Sequence, residues 1–154
     1  GPDAPLVIPA LNRDGDCLSD LVMPLYGSIA GAESVLLAFD ADYEIDAVMC
    51  EAPHGTAPGL QGKDVANPMA MILAAGALLH YASERRSNGG GEADPVARRV
   101  EHASRAIYES VFEATAGGTR TADLGGHAST TEFTDAVRER VRSKLDTWSA
   151  IGSS

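Results

Sequence analysis

Apolar and polar residues alternate along this chain in short blocks that predict about four helices and a few short strands. Residues 21–23 and 47–50 are short apolar runs, typical of buried strands. Between them, residues 26–39 have the apolar spacing of a helix, and residues 40–46 form a polar connection. Turn-forming residues crowd positions 12–16 and predict a turn before the first strand.

Capping residues mark the start of three later helices. Asn67, followed by Pro68, opens a helix to about residue 83 that is apolar on nearly every side, which predicts a central place in the core. A glycine-rich loop follows at residues 87–92. Asp94 opens the next helix, and Ser129 with Glu132 forms a capping box for the last one. Apolar stripes run along these two helices at Val96, Val100, Ala103, Ile107 and Val111, and at Phe133, Val137, Val141 and Leu145.

Composition indicates a single soluble globular domain over residues 1–154, in which residues 1–2 resemble the scar of a cleaved tag. The chain is 44% hydrophobic and 22% charged. Its net charge of -10 argues against binding to nucleic acid or an anionic membrane, since both need a basic surface. Cys17 and Cys50 have no disulfide or zinc spacing. We therefore expect a cytoplasmic protein with no membrane partner.

Three stretches of the sequence carry a family resemblance. Residues 51–68 read E-A-P-H-G-T-A-P-G-L-Q-G-K-D-V-A-N-P, residues 123–137 begin D-L-G-G-H, and residues 20–27 read D-L-V-M-P-L-Y-G. They resemble the cofactor loop, the closing loop with its C-terminal helix, and the strand before the metal site of the isocitrate/3-isopropylmalate dehydrogenase family. The resemblance implies a helix-rich α/β fold, similar to the C-terminal half of the family's large domain, and a truncated domain.

The resemblance implies a place for a dinucleotide. In this family the first stretch holds the adenosine part of NAD or NADP, and Gly59 stands where members that use NAD have Asp. Cofactor preference is therefore not defined by the sequence. We expect no cofactor unless this loop is functional, in which case it would bind NAD or NADP. The cofactor-binding candidates are His54, Gly55, Thr56, Ala57, Pro58 and Asn67.

The same resemblance implies that the family's metal site is lost. The family motif Y/F-G-D-x-x-S-D is aligned with residues 26–32, so that Ser28 and Ala32 replace its two Asp residues. Neither residue supplies an anionic oxygen, and no metal is predicted. Asp14, Asp16 and Cys17 are interpreted as parts of one solvated turn. The family's catalytic Tyr and Lys and its Arg clamp lie upstream of the matching stretches.

Candidate catalytic residues are few. The resemblance places His54, Tyr26, Glu51 and Lys63 near one pocket, where His54 would act as an acid or base. The structural alternative is that His54 hydrogen-bonds the backbone and shapes its loop, while Glu51 caps loop amides. The sequence leaves both open.

The sequence leaves three functions open, and it does not decide whether the chain is an enzyme. The first is a family descendant that has lost oxidative decarboxylation and is reused as a metal-free isomerase, cyclase or lyase, or as a binding protein for a small-molecule ligand, in specialised metabolism. The second is a subunit that completes an NAD(P)-dependent dehydrogenase with a partner chain. The third is an adenine-nucleotide-binding regulatory module. An open sheet edge or apolar face would be covered by a homodimer or a partner subunit.

Overall fold

The computed structural model describes residues 7–88 and 94–151, which contain four α-helices and one β-hairpin. The helices are α1 (Asn12–Val22), α2 (Met69–Asn88), α3 (Pro95–Ala116) and α4 (Thr130–Ile151). The strands are β1 (Ser34–Phe39) and β2 (Ile45–Glu51), and they pair antiparallel. Short 3-10 turns occupy residues 23–26, 29–31, 58–60 and 122–124. The helix-rich α/β class predicted from the sequence is confirmed.

The three capped helices begin at the predicted residues. Asn67 Oδ1 accepts from Met69 N at 3.0 Å, and Asp94 Oδ1 accepts from Val96 N at 2.8 Å. Side-chain oxygens satisfy amides that have no partner within the first helical turn, and so fix where a helix starts. Helix α2 extends to Asn88, five residues beyond the predicted end. The run of three glycines that follows lies outside the described residues.

Three predicted elements in the first part of the chain are wrong. Residues 12–16 form the first turns of α1 instead of a loop, and residues 21–23 end α1 and enter a 3-10 turn instead of a strand. Residues 26–39 contain a 3-10 turn and strand β1 instead of a helix. Residues 34–39 pair with β2, and this pairing with a distant segment overrides the local apolar spacing.

The core lies where α2, α3 and α4 meet. Helix α2 contacts both β2 and α3, and α3 contacts α4. Phe133 and Val111 are fully buried, whereas Val96 on the predicted stripe of α3 lies at the surface. Small residues let α2 and α3 approach closely, since Gly76 faces the Tyr108 ring. The main cluster is Met69, Leu73, Val111, Ala114, Phe133 and Val137.

The hairpin keeps one apolar face in contact with solvent. Val48 and Cys50 are half-buried on the side toward α2, while Leu36 and the opposite Met49 are exposed by 64% and 48%. Helix α1 has no buried residue. Within the described ranges, no helix combines the length and hydrophobicity that a membrane span requires.

Candidate functional site

The loop between β2 and α2, residues 52–67, is called the His54 loop. It is an exposed segment with one 3-10 turn at Pro58–Leu60. Ala57 and Asp64 have φ values of 43° and 55°, in the left-handed region that non-glycine residues seldom occupy. Such conformations persist where surrounding contacts hold them, and they concentrate in ligand-binding segments. The backbone of this loop is therefore shaped by contacts outside the loop.

Those contacts come from the start of α4. Asp64 Oδ1 accepts from Thr131 N at 3.0 Å and from Thr131 Oγ1 at 2.9 Å. Thr130 N donates to the Asp64 carbonyl at 3.0 Å, and Thr130 Oγ1 donates to the Ala66 carbonyl. The hydrogen bond from Thr131 holds the pKa of Asp64 below its usual value. Asp64 therefore fixes the loop to α4 while it is ionised.

A pocket of about 770 Å³ opens between the His54 loop and α4. Three of the predicted cofactor-binding residues, Thr56, Ala57 and Pro58, line it together. A neighbouring pocket of about 390 Å³ includes Lys63 and shares Asp64 and Val65 with the first. The other residues of the larger pocket are Leu60, Gln61, Gly62, Ala66, Thr130 and Thr131.

The other predicted cofactor-binding residues lie beside this pocket. Asn67, the last residue of the loop, caps α2. His54 and Gly55 do not line the pocket, and His54 Nδ1 lies 3.0 Å from the Gly55 carbonyl oxygen, which accepts. That contact supports a role for His54 in shaping the loop.

The candidate catalytic residues do not form one constellation. Glu51 ends β2 opposite Ser34, and within the described ranges no hydrogen bond or ion pair joins Glu51, His54 and Lys63. The Tyr26 side chain lies outside what the structure describes. A third cavity, of about 350 Å³ between the hairpin and α2, contains none of the predicted site residues. Of the predicted site residues, Thr56, Ala57 and Pro58 are the ones that line a common pocket.

Asp123 links three segments next to the loop, and sequence reasoning assigned it no role. Its Oδ2 accepts from Ser28 Oγ at 2.5 Å and from Asn67 Nδ2 at 2.9 Å, and its Oδ1 accepts from the buried Thr121 Oγ1 at 2.5 Å. Partial burial acts to raise the pKa of Asp123, but the hydrogen bonds from Ser28, Thr121 and Asn67 outweigh it and lower the pKa. The D-L-G-G motif at residues 123–126 was the sequence feature that could have pointed to Asp123.

Ser28 and Ala32 do not occupy the positions of lost metal ligands. Ser28 Oγ accepts from Ala30 N at 3.1 Å and donates to Asp123, and Ala32 is extended. No α-helix occurs at residues 26–32, so two carboxylates placed there would not share a helix face. The predicted alignment of the metal motif is wrong for this reason.

Helix α1 carries the pattern G-D-x-x-S-D at residues 15–20. Asp16 and Asp20 are four residues apart on this helix, so their side chains share one exposed face. Asp14 stands where the family motif has Tyr or Phe. Within the described ranges no cluster of three or more His, Cys, Asp or Glu forms a metal site. Two carboxylates still fit Mg²⁺, which keeps several water ligands in such sites.

Comparisons with known proteins identify the family of this chain. A profile of the isocitrate/isopropylmalate dehydrogenase family matches residues 2–137. An isocitrate/homoisocitrate dehydrogenase of Thermus thermophilus is 37% identical over 89% of this chain and 34% of its own length. The mitochondrial isocitrate dehydrogenase [NAD] catalytic subunit 5 of Arabidopsis thaliana is 34% identical over 86% of this chain and 29% of its own length.

A solved structure shows the same fold. The apo crystal structure of a beta-decarboxylating dehydrogenase from Thermococcus kodakarensis is 27% identical, with a TM-score of 0.59 over 86% of this chain and 32% of that one.

The fold and the sequence match together indicate part of a domain of the kind found in these dehydrogenases. The chain belongs to the isocitrate/isopropylmalate dehydrogenase family. It spans about a third of the length of the curated relatives it matches.

Proposed function

We propose that this chain supplies the dinucleotide loop and two metal-binding carboxylates of an NAD(P)-dependent dehydrogenase that acts on 2-hydroxy acids. The remainder of the catalytic domain would come from further sequence of the same protein or from a partner chain. The observation that carries this proposal is α1, where Asp16 and Asp20 share one face and complete G-D-x-x-S-D. The printed names of the relatives support the class of reaction.

The residues of this chain would act by binding and orientation. Thr56, Ala57 and Pro58 would line the adenosine end of the dinucleotide, within the pocket held to α4 by Asp64. Asp16 and Asp20 would hold Mg²⁺ or Mn²⁺. When bound, such a metal polarises the substrate oxygen atoms that carry developing charge.

The metal-free hypothesis loses its main support. It rested on Ser28 and Ala32 as replacements of metal ligands, and these residues have other places in the fold. A metal-free enzyme or ligand-binding protein would bind no Mn²⁺ through α1. Metal binding therefore discriminates between the two proposals.

The test is a Mn²⁺ titration of the purified chain followed by electron paramagnetic resonance. We expect Asp16→Asn combined with Asp20→Asn to abolish the bound-Mn²⁺ fraction, because the variant keeps the shape of both side chains without their charge. Asp42→Asn, in the exposed hairpin turn, is the matched control and should bind as the wild type does. Equal binding by all three proteins, or none by the wild type, would reject the metal role of α1.

A second candidate function is an adenine-nucleotide-binding module. The supporting observation is that Thr56, Ala57 and Pro58, which match the family's adenosine-binding loop, line one pocket of about 770 Å³ together. Under this alternative, AMP would bind equally well with and without a divalent metal, and the α1 variants would leave its affinity unchanged.

A further inference from the structure

We propose that Asp123 is a positioning residue: it holds the N-terminus of α2, and with it the end of the His54 loop, against the turn that follows α1. This inference rests on the proposed dinucleotide site and assigns a residue outside the pocket lining. Three segments far apart in sequence meet at its carboxylate, through Ser28, Asn67 and Thr121. Other contacts at the end of the loop come from α4.

Asn67 is the residue through which Asp123 acts on the loop. Its Oδ1 accepts a hydrogen bond from Met69 N, and its Nδ2 donates to Asp123 Oδ2. These two contacts fix which way the amide points, since its oxygen and nitrogen face different partners. Without an acceptor at position 123, the amide is free to rotate and the cap on α2 weakens. Asn67 is the last residue of the loop and α2 begins at Met69, so the end of the loop would move with the cap.

Ser28 extends the connection toward α1. Its Oγ accepts from Ala30 N, so its hydroxyl hydrogen is directed to Asp123. The 3-10 turn at Ile29–Gly31 contacts both α2 and the turn at Met23–Tyr26, which in turn contacts α1. A continuous set of contacts thus runs from α1, which carries Asp16 and Asp20, through Asp123 to the His54 loop.

Position 123 requires a hydrogen-bond acceptor with two oxygen atoms. All three side chains donate to it, and hydrogen bonds to a charged acceptor are stronger than those between neutral groups. Alanine removes every acceptor. Asparagine keeps one oxygen for Ser28 and Asn67, and its amide can donate to Thr121 Oγ1 after the hydroxyl rotates. Asparagine should therefore restore much of what alanine loses.

Amide hydrogen exchange of the whole chain tests this inference. We expect Asp123→Ala to accelerate exchange at Met69 N and at the hydrogen-bonded amides of Leu60 and Lys63 about tenfold or more, from the loss of charged hydrogen bonds. Exchange within α3 and α4 should stay near wild-type rates. Asp123→Asn should fall between the two. Asp146→Asn, on the exposed part of α4, is the matched control.

Titration of the same proteins with NAD⁺ and NADP⁺ supplies the second readout. If the wild type binds, Asp123→Ala should weaken binding about tenfold, with partial recovery in Asp123→Asn. Unchanged loop exchange in Asp123→Ala, or acceleration spread evenly over α3 and α4, overturns the positioning role. A wild type that binds neither dinucleotide, but shows the expected exchange pattern, rejects the dinucleotide site and leaves the control of loop geometry by Asp123 intact.

Discussion

At the scale of single residues, the N-terminus of α4 shows how side chains connect a helix to the His54 loop. Ser129 Oγ accepts from Glu132 N at 3.1 Å, and Glu132 Oε2 accepts from Ser129 N at 2.8 Å. This reciprocal pair is the capping box predicted from the sequence. Asp64 adds an acceptor for Thr131 N. The cap could be predicted because it is local, whereas Asp64 belongs to a segment about 65 residues upstream.

The capping box gives a prediction about stability. Ser129→Ala removes the acceptor for Glu132 N and should lower the free energy of unfolding by about 1 kcal/mol. Ser143→Ala, at an exposed position within α4, should be neutral or slightly stabilising because alanine favours a helix interior. Urea denaturation followed by circular dichroism measures both. An equal loss in the two variants would contradict the role of the cap.

At the scale of elements, the sequence predicted the helices that have strong start signals and failed where pairing decides structure. Asn67, Asp94 and Ser129 each mark a helix that the structure confirms. Strand β1 forms because residues 34–39 pair with β2. The apolar spacing of residues 26–39 does not indicate this pairing. The error at α1 also affected the alignment of the G-D-x-x-S-D pattern, because the helix that carries Asp16 and Asp20 was interpreted as a turn.

The crossing of α2 and α3 gives a prediction at this scale. A Cβ at Gly76 would lie 3.1 Å from the Tyr108 ring and 3.2 Å from Ile107 Cγ2. Gly76→Ala should therefore destabilise the protein by about 1–3 kcal/mol, although alanine is the better helix former.

Gly15→Ala on α1 is the matched control, since its Cβ would meet only Ala10 at 3.8 Å. It should raise stability by up to about 1 kcal/mol. Thermal unfolding of the two variants compares them directly. A stabilising Gly76→Ala would mean that the two helices do not pack as closely as described.

At the scale of the whole molecule, several large apolar side chains remain exposed. Leu21, Leu25 and Leu36 are exposed by 71%, 82% and 64%, and Phe39 by 56%. Soluble monomers seldom keep large contiguous apolar patches in water. An open sheet edge or apolar face was expected from the sequence, and Leu36 and the opposite Met49 are exposed on one face of the hairpin.

We therefore expect the purified chain to self-associate in a concentration-dependent manner, as in the proposed homodimer. Leu36→Lys should shift sedimentation toward the monomer, because it places a charge in the centre of the exposed face. Glu139→Lys, on the exposed side of α4, changes charge away from this face and should sediment as the wild type does. A wild type that remains monomeric at all concentrations would contradict the expectation.

Dinucleotide binding by the His54 loop is the central claim of the proposed function. Calorimetric titration of the purified chain with NAD⁺ and NADP⁺, each with and without Mg²⁺, tests this most directly. We predict saturable binding of at least one dinucleotide, with AMP competing for the same pocket. Absence of binding at about 1 mM dinucleotide would contradict this prediction. It would mean that the binding free energy is weaker than about -4 kcal/mol. The loop would then serve the fold alone.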